Sequence, residues 1–134
     1  MGSAHTLADV SAGIAATMAA YTHALDDGRT DDVVATFCPD GTCDMPGLGR
    51  HAGHEALRAA YAGVAPRRPQ RHLVLNTLVT GWNEEEATAT SDVVLILKGE
   101  GGWAVAVVGR YDDVLHRDGG AWRFHRRVAR FTPS

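Results

Sequence analysis

The sequence predicts an α+β domain in which helices from the N-terminal half cover one face of an antiparallel sheet from the C-terminal half. Up to about residue 64, apolar residues recur every three or four positions, which is typical of amphipathic helices. After residue 70 they recur every second position, which is typical of strands. Short turns with the sequences GWNEEE, GEGG and HRDGG separate these runs, and such connections join antiparallel neighbours.

Three helices are expected. The first runs from Val10 to Leu25, where one apolar stripe recurs at helical spacing, and Asp26-Asp27-Gly28 ends it. The second extends from Thr30 to Phe37 and stops at Pro39-Asp40-Gly41. The third covers His54 to Val64 and ends at a proline-containing loop. These helices supply the layer that packs on the sheet.

A four-stranded meander forms the C-terminal half. A short strand at Thr42–Met45 and a glycine-rich loop through Gly53 precede it. Its strands are expected at Arg71–Trp82, Ala87–Lys98, Trp103–Leu115 and Trp122–Phe131. Both faces of the run RHLVLNTLV are apolar, as they are in DVVLILK and WAVAVVG. One face therefore packs on helices, and we expect the other to form a homodimer.

Composition limits the classes of function. The 134 residues fit one domain, with residues 1–9 expected as a loose N-terminal extension. The net charge of −3 and the lack of a basic stripe argue against a nucleic-acid partner. The two cysteines, Cys38 and Cys43, read as free thiols of a reducing compartment. With no apparent signal sequence or membrane-length apolar run, we expect a cytoplasmic protein without a membrane partner.

Polar residues inside apolar strands are candidates for a site. His72 and Asn76 fall on one face of their strand by strict alternation. A lone histidine there is commonly a packed core residue, so His72 has both a structural and a catalytic interpretation. Asp92 lies within an apolar run and must be paired or reach water at a strand end, because an isolated buried charge is costly.

Arginines of the last strand are a second group of candidates. Arg126 and Arg127 point to opposite faces, so only one of them can reach the pocket. A surface ladder of charge against the aspartates of GRYDDV is the alternative. His51 and His54 in HAGH lack a third ligand at a suitable spacing, so no metal site is expected.

The stretch AYTHALDDG poses the question of why a helix end carries Tyr21 beside two acids. The acids could be solvated where Gly28 stops the helix. Alternatively, Tyr21 and Asp26 could reach into the pocket as part of an acid-base site. Five residues separate these two side chains by about 140° around a helix, so they converge only if Asp26 lies in the terminal turn.

The order of elements, together with the segments YTHALDDG, DDVVATFCPDGTCDMPG, HAGHEALRAAYAG, RHLVLN and GRYDDVLHRDGGAWRFHRR, resembles SnoaL-like proteins of the nuclear transport factor two-like superfamily. The resemblance extends from about Val10 to Phe131. It implies a cystatin-like α+β barrel: a cone-shaped, strongly curved, mainly antiparallel sheet wrapped around three N-terminal helices. The pocket opens inside the cone. This scaffold is shared by isomerases, dehydratases, cyclases, epoxide hydrolases and non-catalytic subunits.

The resemblance also implies site residues. Scytalone dehydratase, the bile acid 7α-dehydratases and the lindane dehydrochlorinase set an aspartate at the end of the first long helix against a histidine early in the first long strand. Here these positions are Asp26 and His72, and the tyrosine of the dehydratases falls on Tyr21. A strand aspartate falls near Asp92, and an arginine of the last strand falls on Arg127 or, one residue away, on Arg126. The expected substrate-binding residues are Asp92, Arg127 and Asn76, the last of which lies on the strand face assigned to His72.

The implied activity is that of a lyase or isomerase without cofactor or metal, which acts on a small cyclic apolar molecule such as a steroid, polyketide or terpenoid. His72 would be the general base, Asp26 its partner and Tyr21 a hydrogen-bond donor. A non-catalytic ligand-binding or assembly module with the same cone is the alternative. An epoxide hydrolase would need an Asp-Arg-Asp set around a water, which Asp92, Arg110 and Asp112 do not obviously form.

Overall fold

A computed structural model gives the structure of the protein and describes residues 5–133. Three helices and six strands follow one another along this part of the chain. They are α1 (Leu7–Asp26), α2 (Thr30–Ala35), β1 (Phe37–Met45), β2 (Gly49–Ala52), α3 (His54–Gly63), β3 (Gln70–Trp82), β4 (Glu86–Gly99), β5 (Gly102–Asp118) and β6 (Ala121–Phe131). The predicted α+β class, with three helices before a four-stranded meander, is confirmed.

The six strands form one curved sheet in the order β2-β1-β6-β5-β4-β3. The meander strands β3 to β6 are antiparallel to one another, whereas β1 runs parallel to β6. The sheet is mainly antiparallel, as predicted, but it does not close, because β2 and β3 lie at its two edges. The helices cover part of the concave face. The rest of this face, formed by the start of β3 and the middle of β4 and β5, lines a cavity.

Helix α1 begins earlier than its apolar stripe indicates. Thr6 caps it, since Thr6 Oγ1 accepts from the Asp9 amide at 3.2 Å and the Asp9 carboxylate accepts from the Thr6 amide at 2.9 Å. Residues 7–9, expected in a loose extension, are therefore helical. Residues 1–4 of that extension lie outside the described residues. The capping pair marks the helix start at a position where the apolar periodicity has not yet begun.

Strand β1 is longer than predicted. Phe37, expected at the end of the second helix, pairs with Phe124 of β6, and the Phe124 amide donates to the Thr36 carbonyl at 2.9 Å. Gly41 allows this approach, because a Cβ there would lie 2.8 Å from the Phe124 carbonyl oxygen. Strand β2 forms within the expected glycine-rich loop and pairs with β1. Both differences arise from long-range pairing, which local sequence patterns do not contain.

The core lies between α1, α2 and α3 and the concave face of the sheet. Its fully buried members include Val10, Ile14, Tyr21, Val33, Val34, Phe37, Leu57, Leu115 and Phe124. Tyr21, Phe37 and Phe124 pack edge-on or tilted at centroid distances of 5.3 to 6.2 Å. This aromatic cluster fixes the rotation of α1 and thereby the side of the helix that faces the cavity. In the described part of the chain, no helix is both long and apolar enough to cross a membrane.

Candidate active site

A cavity of about 370 Å³ opens between the helices and the sheet. Its wall is mostly apolar, with a few polar side chains, as is usual in small-molecule sites. The lining residues are Tyr21, Leu25, Met45, Pro46, Gly47, Leu48, Tyr61, Val64, Gln70, His72, Val93, Leu95, Val107, Tyr111 and Phe131. Of the predicted catalytic residues, Tyr21 and His72 line the cavity directly.

His72 and Asp26 form a hydrogen-bonded pair at the wall. Asp26 is the last residue of α1, and His72 lies near the start of β3. His72 Nδ1 is 2.6 Å from Asp26 Oδ1, and the His72 amide donates to Asp26 Oδ2 at 2.8 Å. Gln70 Nε2 donates to Asp26 Oδ1 at 3.1 Å. The side chains of Asp26 and His72 are only 5% and 14% exposed, so the pair is held rigidly away from bulk water.

The electrostatics of the pair fix the orientation of the imidazole. Burial raises the pKa of Asp26, but the hydrogen bonds from His72 and Gln70 together lower it below its ordinary value. Asp26 is therefore ionised at neutral pH and acts as the acceptor for Nδ1–H of His72. Nε2 is then the unprotonated nitrogen of neutral His72, the form that can accept a proton.

Asp26 reaches His72 because α1 ends there. The next residue, Asp27, is the C-cap, and Gly28 adopts φ 72°, which turns the chain away from the helix axis. Asp26 therefore lies in the terminal turn of α1, which was the condition for its side chain and that of Tyr21 to approach the same pocket. Their positions differ, since Tyr21 lines the cavity whereas Asp26 stands behind His72.

Tyr21 belongs to a buried chain of polar groups. Its hydroxyl is 2.7 Å from that of Tyr61, which in turn lies 3.4 Å from Cys43 Sγ. Burial raises the pKa of both tyrosines well above the ordinary value, so both hydroxyls keep their protons at neutral pH. One hydroxyl donates to the other, and the remaining hydroxyl proton is available to Cys43 or to a molecule in the cavity.

Arg127 does not line the cavity, contrary to the substrate-binding role expected from the sequence. Its side chain is fully buried and donates through Nε and Nη2 to both carboxylate oxygens of Asp113, at 2.9 and 3.2 Å. The guanidinium carbon lies 3.6 Å from the ring centre of Tyr111 and 4.5 Å from that of Tyr21. Arg127 thus supports two cavity tyrosines from beneath. The other candidate, Arg126, borders a separate polar depression on the sheet.

Asn76 and Asp92, the other two residues expected to bind substrate, also lie outside the cavity wall. Asn76 has φ 55° and sits in a β-bulge, where the β3–β4 register shifts between Leu75 and Leu78. The extra residue reverses the alternation, so that Thr77 rather than Asn76 turns inward and contacts Ser91 at 2.9 Å.

On the outer face Asn76 donates to Asp92 at 2.8 Å, and Arg110 donates to the same carboxylate at 2.9 and 3.1 Å. These hydrogen bonds lower the pKa of Asp92. Asp112 pairs with Arg130 instead of joining this group. The Asp-Arg-Asp set that an epoxide hydrolase would need is therefore not assembled in the cavity.

Three polar lining residues were not singled out from the sequence: Gln70, Tyr61 and Tyr111. Gln70 carried a usable signal, since it lies two residues before His72 and therefore shares its strand face. Tyr61 was recognised only as part of the apolar face of α3. Tyr111 shares its strand face with Asp113, but the sequence pattern does not show that this face borders the cavity.

Comparison with known proteins places this geometry in a family. The sequence matches the SnoaL-like domain over residues 6–128. No curated protein sequence is significantly similar to the chain. A candidate aromatic ring hydroxylase from Novosphingobium aromaticivorans is structurally similar with a TM-score of 0.84 and 26% identity, over 97% of this chain and 94% of that one.

Two further structures from Novosphingobium aromaticivorans are similar over 92% of this chain. A candidate scytalone dehydratase has a TM-score of 0.81 and 25% identity, over 84% of its own chain. A nuclear transport factor two-like protein with a cystatin-like fold has a TM-score of 0.81 and 21% identity, over 82% of its own chain. The resemblance inferred from the sequence is confirmed, and the chain belongs to the SnoaL-like domain family of the nuclear transport factor two-like fold.

Proposed function

We propose that the protein is a cofactor-independent lyase or isomerase in which His72 removes a proton from a carbon atom of a small cyclic, mostly apolar substrate. The observation that carries the proposal is the pairing of His72 with the buried carboxylate of Asp26 at the wall of an apolar cavity. A histidine that served only for packing would not need a buried ionised partner, a backbone contact and a second donor such as Gln70 on the same carboxylate.

In this proposal Asp26 holds the tautomer in which His72 Nε2 is the base. Nε2 takes a proton from a carbon next to a carbonyl, and the electrons of the C–H bond form a carbon–carbon double bond while the carbonyl oxygen gains negative charge. Tyr21 donates a hydrogen bond to that oxygen or to a leaving hydroxyl. In a dehydration the enolate expels the hydroxyl, which takes the proton from His72 Nε2 and leaves as water, so that the base is regenerated. In an isomerisation His72 returns the proton to another carbon.

The experiment is a screen of the purified protein against cyclic hydroxy-ketones and enones, followed by absorbance and mass spectrometry. We expect water loss or double-bond migration with at least one member of the panel. Substrates without an acidic C–H next to a carbonyl serve as matched controls and should not react. If panel members bind in the cavity and none turns over, the non-catalytic ligand-binding module replaces this proposal.

The outer face of the sheet supports a second part of the proposal, a homodimer. Large apolar side chains are exposed there, namely Leu73, Leu75, Leu78, Trp103, Val105 and Val108. A patch of this kind is unusual for a monomer. A second copy of the chain is the occupant we propose, because both faces of β3, β4 and β5 are apolar and only one is covered by helices.

Sedimentation equilibrium at micromolar concentration should give twice the chain mass of 14.3 kDa. Leu75→Glu, which places a charge in the patch, should shift the protein to monomer. Leu7→Glu changes an exposed leucine on α1 and should leave the dimer intact. A monomeric wild-type protein would rule out the dimer.

A further inference from the structure

A cysteine and two histidines meet on the outer face of the sheet, away from the cavity. Cys38 lies on β1, His125 on β6 and His116 on β5, three strands that are adjacent in the sheet. One donor atom from each side chain lies within 4.8 Å of the donor atoms of the other two. The group has no part in the function proposed above, so its role is a separate question.

Local irregularities of the sheet create the cluster. Leu115 pairs with Phe124 and Val114 with Arg126, so His125 is the extra residue of a β-bulge. Phe124 and Leu115 are fully buried toward the core, which turns the neighbouring histidines to the opposite face. There the rings of His116 and His125 lie parallel, with 4.1 Å between their centres.

The polar atoms around the cluster are only partly paired. Nδ1 of His125 is buried and has no hydrogen-bond partner within the described residues. The nearest carboxylate oxygen, Oδ1 of Asp40, lies 3.8 Å from it. His116 Nε2 contacts Glu86 Oε2 at 3.0 Å, and a carboxylate on the far nitrogen is the usual partner of a histidine that binds a metal. Cys38 Sγ makes a long contact, 3.7 Å, to the Arg123 carbonyl oxygen.

We propose that Cys38, His116 and His125 bind a divalent transition-metal ion of the zinc type. A thiolate and two imidazoles are a donor set that Zn²⁺ favours, with a fourth position that Asp40 or water would fill. On binding, the Cys38 thiol loses its proton to solvent and its sulfur forms the bond to the metal. Zinc–ligand bonds of about 2.0 to 2.3 Å require the side chains to close in, and the partly exposed histidines have room to rotate.

The local charge favours a cation at this position. Two carboxylates lie beside the histidines and make the potential there negative: Asp40 Oδ1 is 3.8 Å from His125 Nδ1, and Glu86 Oε2 is 3.0 Å from His116 Nε2. The same negative potential attracts a divalent ion. A stacked histidine pair over a buried thiol, with no metal, would explain the packing but would leave His125 Nδ1 without a hydrogen-bond partner in the part of the chain that the structure describes.

The test is a titration of the metal-free protein with Co²⁺, which takes the place of zinc and reports its ligands by absorbance. We expect a thiolate-to-cobalt charge-transfer band and visible bands of tetrahedral intensity, and Zn²⁺ should displace both. Cys38→Ser should remove the charge-transfer band. Glu86→Gln, which changes only the carboxylate on His116, should weaken Zn²⁺ binding about tenfold in a competition with a chromophoric chelator.

His23→Gln is the matched control, because it removes an exposed histidine outside the cluster and should leave binding unchanged. Circular dichroism of each variant separates loss of binding from loss of folding, and His125→Gln gives a second ligand variant should Cys38→Ser unfold. The proposal is overturned if the folded wild-type protein gives no charge-transfer band, or if the band persists in Cys38→Ser. It is equally overturned if zinc affinity is the same in wild type and His125→Gln.

Discussion

Replacing His72 by alanine is expected to abolish turnover of any substrate that the protein dehydrates or isomerises. The imidazole lines the cavity with its Nδ1 held by the Asp26 carboxylate, and general-base catalysis contributes on the order of a hundredfold to ten-thousandfold. The fold should survive the change, because the backbone amide of residue 72 and Gln70 Nε2 still donate to the Asp26 carboxylate.

Asp26→Asn is expected to lower the rate by about a hundredfold or more, although the new side chain has the same shape. In the wild-type protein the Asp26 carboxylate accepts a hydrogen bond from the His72 amide and faces Nδ1–H of the ring. In the variant, if the amide oxygen keeps the backbone contact, its NH₂ group faces Nδ1 and favours the tautomer with the proton on Nε2. The nitrogen that should act as base is then blocked, which is the tautomer effect known from catalytic triads.

The two changes should not add. Because Asp26 acts through His72, the double variant should be about as slow as His72→Ala alone. Steady-state kinetics of the two single variants and the double variant measure this directly, with His23→Gln as a control for the loss of an exposed histidine. A His72→Ala protein that retains near-wild-type turnover would show that the base lies elsewhere.

The pairing of Asp26 with His72 could be predicted because local sequence features place each of the two residues. Asp26 follows the last apolar residue of a long helix stripe, and His72 opens a strand with period-two patterning. The end of a helix is a local property of the sequence. So is the face of a residue near the start of a strand, before any bulge. The resemblance to a family then supplied the information that these two distant positions meet.

The misplaced residues depend on features that local patterns do not carry. The bulge at Asn76 reverses the facing of the residues that follow it, up to a second shift of the β3–β4 register between Val79 and Gly81. Pairing with β4 rather than composition specifies both irregularities. Arg127 points inward because the bulge at His125 reverses the alternation that starts from the buried Phe124, and the facing of a residue gives its direction but not its depth. Tyr21 and Tyr111 stand between its guanidinium and the cavity, and only their packing around it shows this.

Arg127→Met is expected to cost about 3 to 5 kcal/mol in the free energy of unfolding, because it leaves the Asp113 carboxylate buried without its counter-charge. Both side chains are fully buried, so solvent cannot replace the lost hydrogen bonds. Arg127→Met combined with Asp113→Leu removes both charges and should recover much of the loss, since apolar replacements of buried ion pairs are often nearly neutral. Urea denaturation of the wild-type protein, the single variants and the double variant gives the coupling energy.

The loss of unfolding free energy in Arg127→Met should depend on pH in a defined direction. Burial already raises the pKa of Asp113 in the folded protein, and removal of Arg127 takes away the main interaction that opposes the rise. The carboxyl group of Asp113 then binds a proton more tightly in the folded variant than in the unfolded chain. Its stability deficit should therefore be smallest below about pH 4, the ordinary pKa of an aspartate, and should grow as the pH rises through the folded-state pKa. A deficit that does not change between acidic and neutral pH would mean that the variant lets water reach Asp113, in which case Tyr21 and Tyr111 have lost their support and the cavity wall has opened.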